Sequence, residues 1–251
     1  MKLIEALEEA VAPGEIVRRR EQTRLGLLER SPYVSAPQFT KLHPEDLRLL
    51  FDLCDAAWFQ GGLRSALNGR ALHFRISTRA TSRAGSMHAR RLHGPFGSVV
   101  EFFEMTVSAT LLFGSFGDGQ RTVLSGGREC ADRLDALQRV MEHEIVHLAE
   151  QLVWGASSCS GPRFQGIAQR QFDHLEHTHE LLTPRERVEA DLGIRVGDRV
   201  AFQFEAERLE GRVNRITKRA TVLVEAPDGL PFSNGKRYFA YYVPPRLLER
   251  L

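Results

Sequence analysis

Apolar residues along this chain repeat mainly at helical spacing before residue 184 and almost wholly at strand spacing after it. Leu3, Leu7 and Val11, then Leu25 and Leu28, predict two short helices parted by Pro13-Gly14 and closed by Ser31-Pro32. A third helix opens at Pro44-Glu45-Asp46, with proline in its first turn and carboxylates at the positive end of the dipole. It runs through Leu47, Leu50, Phe51, Cys54 and Trp58 to Gly61-Gly62, and Cys54 in that row reads as a small core residue. Leu72 to Ser77 and Glu104 to Ser108 alternate as strands. Between them a basic, glycine-containing section with Arg83, His88, Arg90, Arg91 and His93 predicts a hairpin or a substrate-facing loop.

From about Glu129 a long helix is expected, with Leu134, Leu137, Val140, Met141, Ile145, Leu148 and Leu152 on more than one face and Gly155 as its stop. After Thr183-Pro184 come four short strands, led in by Ile194 to Phe204 and continued by Leu209 to Ile216, Ala220 to Glu225 and Arg237 to Val243. Turn residues at Thr217-Lys218, Pro227-Asp228-Gly229 and Asn234-Gly235 separate them, the pattern of a small all-β barrel. The fold class expected is therefore α+β, with a helical extension at 1–39, a mixed domain at 40–183 and a β-barrel at 184–251.

Composition narrows the function classes. A 42% hydrophobic and 26% charged chain of 251 residues has the make-up of an ordinary soluble globular protein, long enough to bury a core without staples. With 34 basic residues against 32 acidic, the net charge of +2 gives no global affinity for polyanions, so nucleic-acid contact must be local. Cys54, Cys130 and Cys159 are too few and scattered for a disulfide framework, which favours a reducing cytoplasm. The first twenty residues carry glutamates within their apolar segment and do not read as a signal peptide, and no apolar run is long enough for a membrane span. The glycine-rich stretch Phe113 to Gly127 matches neither a P-loop nor a dinucleotide fingerprint and is assigned no cofactor. Arg18-Arg19-Arg20 reads as a solvated helix face.

The chemistry lies in Met141-Glu142-His143-Glu144-Ile145-Val146-His147-Leu148. On a helix, positions i and i+4 share a face, so His143 and His147 can aim ring nitrogens at one zinc ion, with the Glu144 carboxylate beside it to activate water. The bland reading is a pair of buried histidines satisfied by polar neighbours. Two histidines and a glutamate on a largely apolar helix are costly without a function, which favours zinc.

The order of LRLLFDLCDAAWFQGGL (Leu47 to Leu63), LHFRISTRATSRAGSM (Leu72 to Met87), FEMTVSATLLF (Phe103 to Phe113), VMEHEIVHL (Val140 to Leu148) and GPRF (Gly161 to Phe164) resembles the SprT-like metalloprotease family, which includes Spartan-type proteases. The resemblance covers roughly residues 40 to 180. It implies a small zincin fold with the active-site helix beside a few-stranded sheet, peptide-bond hydrolysis of protein substrates, and Glu104 to Ser108 as a strand that pairs with extended substrate. It also implies a third zinc-binding histidine at the position held here by Ser160.

Cys159, one residue earlier, can substitute as a thiolate ligand, and His174, His177 and His179 are the alternative donors. Glu150, three residues past His147, suits a supporting or salt-bridge role better than ligation. In the last domain Val196-Gly197-Asp198-Arg199-Val200 resembles SH3-like modules of the KOW type. Arg212, Arg215, Lys218 and Arg219 on one hairpin, with Tyr238, Phe239, Tyr241 and Tyr242 on a later strand, suit DNA or RNA contact, or equally an aromatic core with a solvated charged edge. The competing function is a non-catalytic scaffold or nucleic-acid-associated protein that keeps a zincin fold.

Overall fold

The computed structural model describes residues 3–94, 97–117 and 121–251. Part of the glycine-rich stretch (118–120) and the first two residues, which belong to the leader reading, lie outside the described residues. The chain is α+β and divides into two compact units, Met1–Leu181 and Leu182–Leu251. No helix among the described residues is long and apolar enough to cross a membrane.

The first unit opens with α1 (Leu3–Glu8) and α2 (Pro13–Arg30), which are part of its core: Ala6, Leu7 and Leu27 are buried in the same cluster as the later elements. Helix α3 (Pro44–Phe59) is entered through a cap in which His43 Nδ1 accepts from the Glu45 N–H and Asp46 Oδ2 accepts from the His43 N–H. Gln60 ends it in the left-handed region, and the short α4 (Gly62–Leu67) follows. Strands β1 (Ala71–Ser77), β2 (Gly85–Gly94) and β3 (Gly97–Ser108) form a sheet in the order β1-β3-β2. After α5 (Ala109–Gly114), a hairpin of β4 (Leu124–Ser125) and β5 (Arg128–Glu129) leads into α6 (Arg133–Trp154). Asp132 caps α6, and Gly155, at φ 72°, turns the chain out of it in the left-handed region that glycine tolerates best. Helix α7 (Pro162–Phe172) completes the layer.

Register explains how the sheet meets α6. Phe103, Met105 and Val107 of β3 pair with Leu72, Phe74 and Ile76 of parallel β1 and with Ala89, Met87 and Gly85 of antiparallel β2, so these positions share the inward face. The basic section after Ser77 is largely strand β2, the first arm of an antiparallel hairpin with β3, the first of its two expected forms, with Gly85, Met87 and Ala89 as a weakly apolar inward row. One expectation is corrected here. Residues Glu104 to Ser108 belong to the central strand, hydrogen-bonded on both sides by β1 and β2, so no substrate can pair with them. Among the described residues the edge left free on that side belongs to β2.

The second unit begins with α8 (Pro184–Leu192), capped by Thr183 and Glu186. Strands β6 (Arg199–Phe204), β7 (Glu207–Ile216), β8 (Ala220–Pro231), β9 (Arg237–Val243) and β10 (Glu249–Arg250) form an antiparallel sheet in the order β10-β6-β7-β8-β9. Val200, Phe202, Val213, Val222 and Val243 make its core with Val188 and Ile194. The pairing among the described residues does not close the sheet into the expected barrel, because β9 and β10 remain its two edges.

Candidate metal centre

One turn apart on α6, the rings of His143 and His147 lie 4.9 Å apart between centroids. Phe164 of α7, fully buried, packs against both, at 4.8 Å and 4.5 Å. Cys159 comes from the loop joining α6 to α7. A nitrogen of each histidine and the Cys159 sulfur all lie within 4.8 Å of one another, and among the described residues this is the one such group able to share a metal ion. Burial, then the neighbouring His147, holds His143 well below the usual histidine range; burial also lowers His147, with Glu150 acting the other way. Both rings are therefore neutral at neutral pH, the form that ligates, and two imidazoles with a cysteine sulfur are a donor set that suits zinc.

Glu144 is 3% exposed, and its Oε2 is enclosed without a hydrogen-bond partner. Burial alone pushes its carboxyl up to about 8. The space it occupies exists because residue 85 is glycine. Gly85 sits in the inward row of β2, and a Cβ there would overlap Glu144 Oε1 and lie 2.9 Å from its Cγ and Cδ. The Ala84 N–H beside it donates to His179 Nε2 at 2.9 Å, which pins the start of β2.

Below His147 runs a polar chain. Its Nδ1 is 2.6 Å from Ser157 Oγ, which is 2.6 Å from Glu150 Oε2, and Arg163 Nε donates to Glu150 Oε1 at 2.6 Å. The Arg163 guanidinium stacks 4.4 Å from the Trp154 ring centroid and donates to the Ala156 carbonyl. Arg91 of β2 donates to the Gly155 carbonyl at 2.7 Å. The loop carrying Ser157 and Cys159 is thus held from both sides.

The remaining histidines are placed elsewhere. His174 is buried with Nε2 2.9 Å from Glu142 Oε2, and Glu142 accepts two hydrogen bonds from Arg20 at 2.8 and 2.9 Å. His177 lies 3.5 Å from Gln165, and His179 holds Ala84. None of the three joins His143 and His147 in the group that could hold a metal ion. Gly126 of the glycine-rich stretch has a packing role: at φ +61° it lies so close to His174 that a Cβ would come within 2.7 Å of the ring. Comparison of the chain with protein-family models, curated proteins and solved structures gave no match.

Arg212, Arg215, Lys218 and Arg219 of the second unit sit on the hairpin of β7 and β8, but the aromatic residues do not join them as a group. Tyr241 faces inward, 5.4 Å from Phe202 and 5.0 Å from Phe204 between centroids. Tyr242 faces the other way, in a cross-strand row with Thr221 and Arg215; Arg212 lies in the next row, with Leu223 and Ala240. Gly85, Ser157, Arg163 and Arg20 were not singled out by sequence as site residues. Gly85 stands in a basic section whose inward row is too weakly apolar to mark it. Ser157 stands in a run of small polar residues that nothing distinguishes.

Proposed function

We propose that this chain is a zinc-dependent peptidase of the SprT-like kind, a zincin-type unit followed by an SH3-like β module, acting on protein or peptide substrates. His143, His147 and Cys159 hold the metal and Glu144 handles the proton. The observation that carries this reading is a three-donor group, two of whose donors share α6 with Glu144, a carboxylate whose Oε2 is enclosed without a partner. Leaving such a group unsatisfied costs about 1–3 kcal/mol, a loss that proton transfer explains and packing does not. A bound zinc ion supplies Lewis acidity, polarising a carbonyl and acidifying water. With a metal held there, Glu144 would take a proton from the attacking water at its carboxylate and pass it to the leaving amine. The free edge of β2 offers main-chain groups to an extended peptide.

Glu144→Gln tests this. The variant keeps its zinc, measured by elemental analysis of purified protein, and loses turnover of an unfolded protein substrate by about 10²- to 10⁴-fold. Equal activity sinks the mechanism. Zinc near zero in carefully purified, folded wild type favours the non-catalytic scaffold instead.

A specific observation favours a polyanion partner for the second unit. Ion pairs tie up Arg195, Arg199, Arg208, Lys236 and Arg250. Among the described residues Arg212, Arg215, Lys218 and Arg219 have no ion pair, and Tyr242, 67% exposed, stands in the row of Arg215. Phosphates on the cations and a base on Tyr242 make this a site for single-stranded DNA or RNA. Arg215→Glu should flatten the salt dependence of oligonucleotide binding by the full chain; an unchanged slope removes the site.

A further inference from the structure

We propose that Ser157 is a positioning residue that fixes the tautomer of His147, and that Glu150 and Arg163 act through it. The inference rests on the zinc reading for its consequence but on hydrogen-bond bookkeeping for its content. Glu150, with 1% of its side chain exposed and paired with Arg163, is a carboxylate and can only accept. A serine hydroxyl has one hydrogen to give. Since Ser157 Oγ lies 2.6 Å from both Glu150 Oε2 and His147 Nδ1, its hydrogen goes to the carboxylate and its lone pair faces the imidazole. Nδ1 therefore carries the proton of the neutral ring, and Nε2 keeps its lone pair for the metal.

The relay does more than select a tautomer. A ring nitrogen whose partner N–H leans on a carboxylate-backed acceptor is a better donor, and the hydrogen bond fixes the ring's rotation. His143 has no counterpart: its ring contacts are His147 and Phe164, and among the described residues it makes no hydrogen bond through its side chain. The two histidines of one motif are thus held by different means, His143 by packing alone and His147 by packing and a polar relay. The loop that supplies Ser157 supplies Cys159 two residues later, so orientation of the second ligand and delivery of the third depend on the same segment. Arg91 and Arg163, donating to the Gly155 and Ala156 carbonyls, secure that segment at its start.

The test uses the full chain, metal-free and zinc-loaded. Long-range nitrogen–proton NMR of the metal-free protein at mildly alkaline pH should report His147 as the Nδ1–H tautomer, and Ser157→Ala should move it toward Nε2–H. Zinc affinity, by competition with a chromophoric chelator, should weaken roughly 10- to 100-fold in Ser157→Ala. It should recover in Ser157→Thr, which restores the hydroxyl. Unaltered affinity in Ser157→Ala, or an Nε2–H tautomer in the wild type, overturns the proposal. A wild type that holds the Nδ1–H form but takes up no zinc overturns the peptidase reading instead and supports the tautomer assignment.

Discussion

Two glutamates on either side of His143 are both buried on α6, and their surroundings could hardly differ more. Glu142, on the side of α2, receives two hydrogen bonds from Arg20 and one contact from His174. Burial raises its pKa, but the Arg20 charge and the His174 hydrogen bond outweigh that and hold it below the usual carboxylate range. Glu144, on the side of β2, has an enclosed oxygen with no partner and is pushed up to about 8 by burial alone. One side of the helix is saturated and ties the N-terminal helices to the core, helped by Arg24 on the capping residue Asp132. The other is left unsatisfied. The difference separates the residue that holds the helix from the residue proposed to do its chemistry.

The largest effect expected is on the saturated side. Glu142→Gln keeps the volume but leaves Arg20, whose side chain is only 14% exposed, without its counter-charge, which costs about 3–5 kcal/mol. Urea denaturation of the metal-free protein measures it. A loss below about 1 kcal/mol, the ceiling of an exposed pair, would place this network among surface salt bridges and dissolve the contrast.

The next effect belongs to Glu144 and has the opposite sign. Its pKa rises on folding from 4.5 to about 8. Between those values the folded, metal-free protein binds a proton that the unfolded chain has released, so its stability from this group is full below the lower value and falls as pH rises. The slope for one proton is about 1.4 kcal/mol per pH unit, levelling off above the folded pKa. Glu144→Gln has no such proton. Its stability relative to wild type should therefore improve steadily over that window, followed by chemical denaturation at a series of pH values. Parallel curves would mean that the carboxyl finds a partner in solution.

Half of this contrast was legible in the chain. Apolar spacing from Leu134 to Leu152 and Gly155 after Trp154 locate α6, and the i, i+4 histidines put their rings on one face, because these are properties of a single helix. Alternation likewise marks the strands from Arg199 to Val243. Arg20 reads as one of three arginines on a solvated face. Only packing of α2 on α6 shows that Arg18 and Arg19 pair with Glu15 on their own helix while Arg20 turns in to Glu142. Cys159 and Ser157 depend on a loop whose course no periodicity encodes. The histidine-rich segment after α7 misled for the same reason: composition shows three donors, and packing sends His174 to Glu142 and His179 to the backbone of Ala84.

The smallest effect on stability probes the unsatisfied side from the strand that faces it. Gly85 pairs with Val107 in the inward row of β2, and a methyl group there would meet the far end of the Glu144 side chain rather than backbone. Gly85→Ala should therefore cost no more than about 1–3 kcal/mol, the range for overpacking, because a flexible carboxylate can move aside. Its effect on turnover should be far greater than on melting, since a displacement on the order of 1 Å in a catalytic group can cost about 10²-fold. Zinc content should hold, because His143, His147 and Cys159 are untouched. Activity and melting temperature falling together would make Gly85 an ordinary packing glycine. Activity falling alone, with the metal still bound, would separate the space around Glu144 from the stability of the sheet that encloses it.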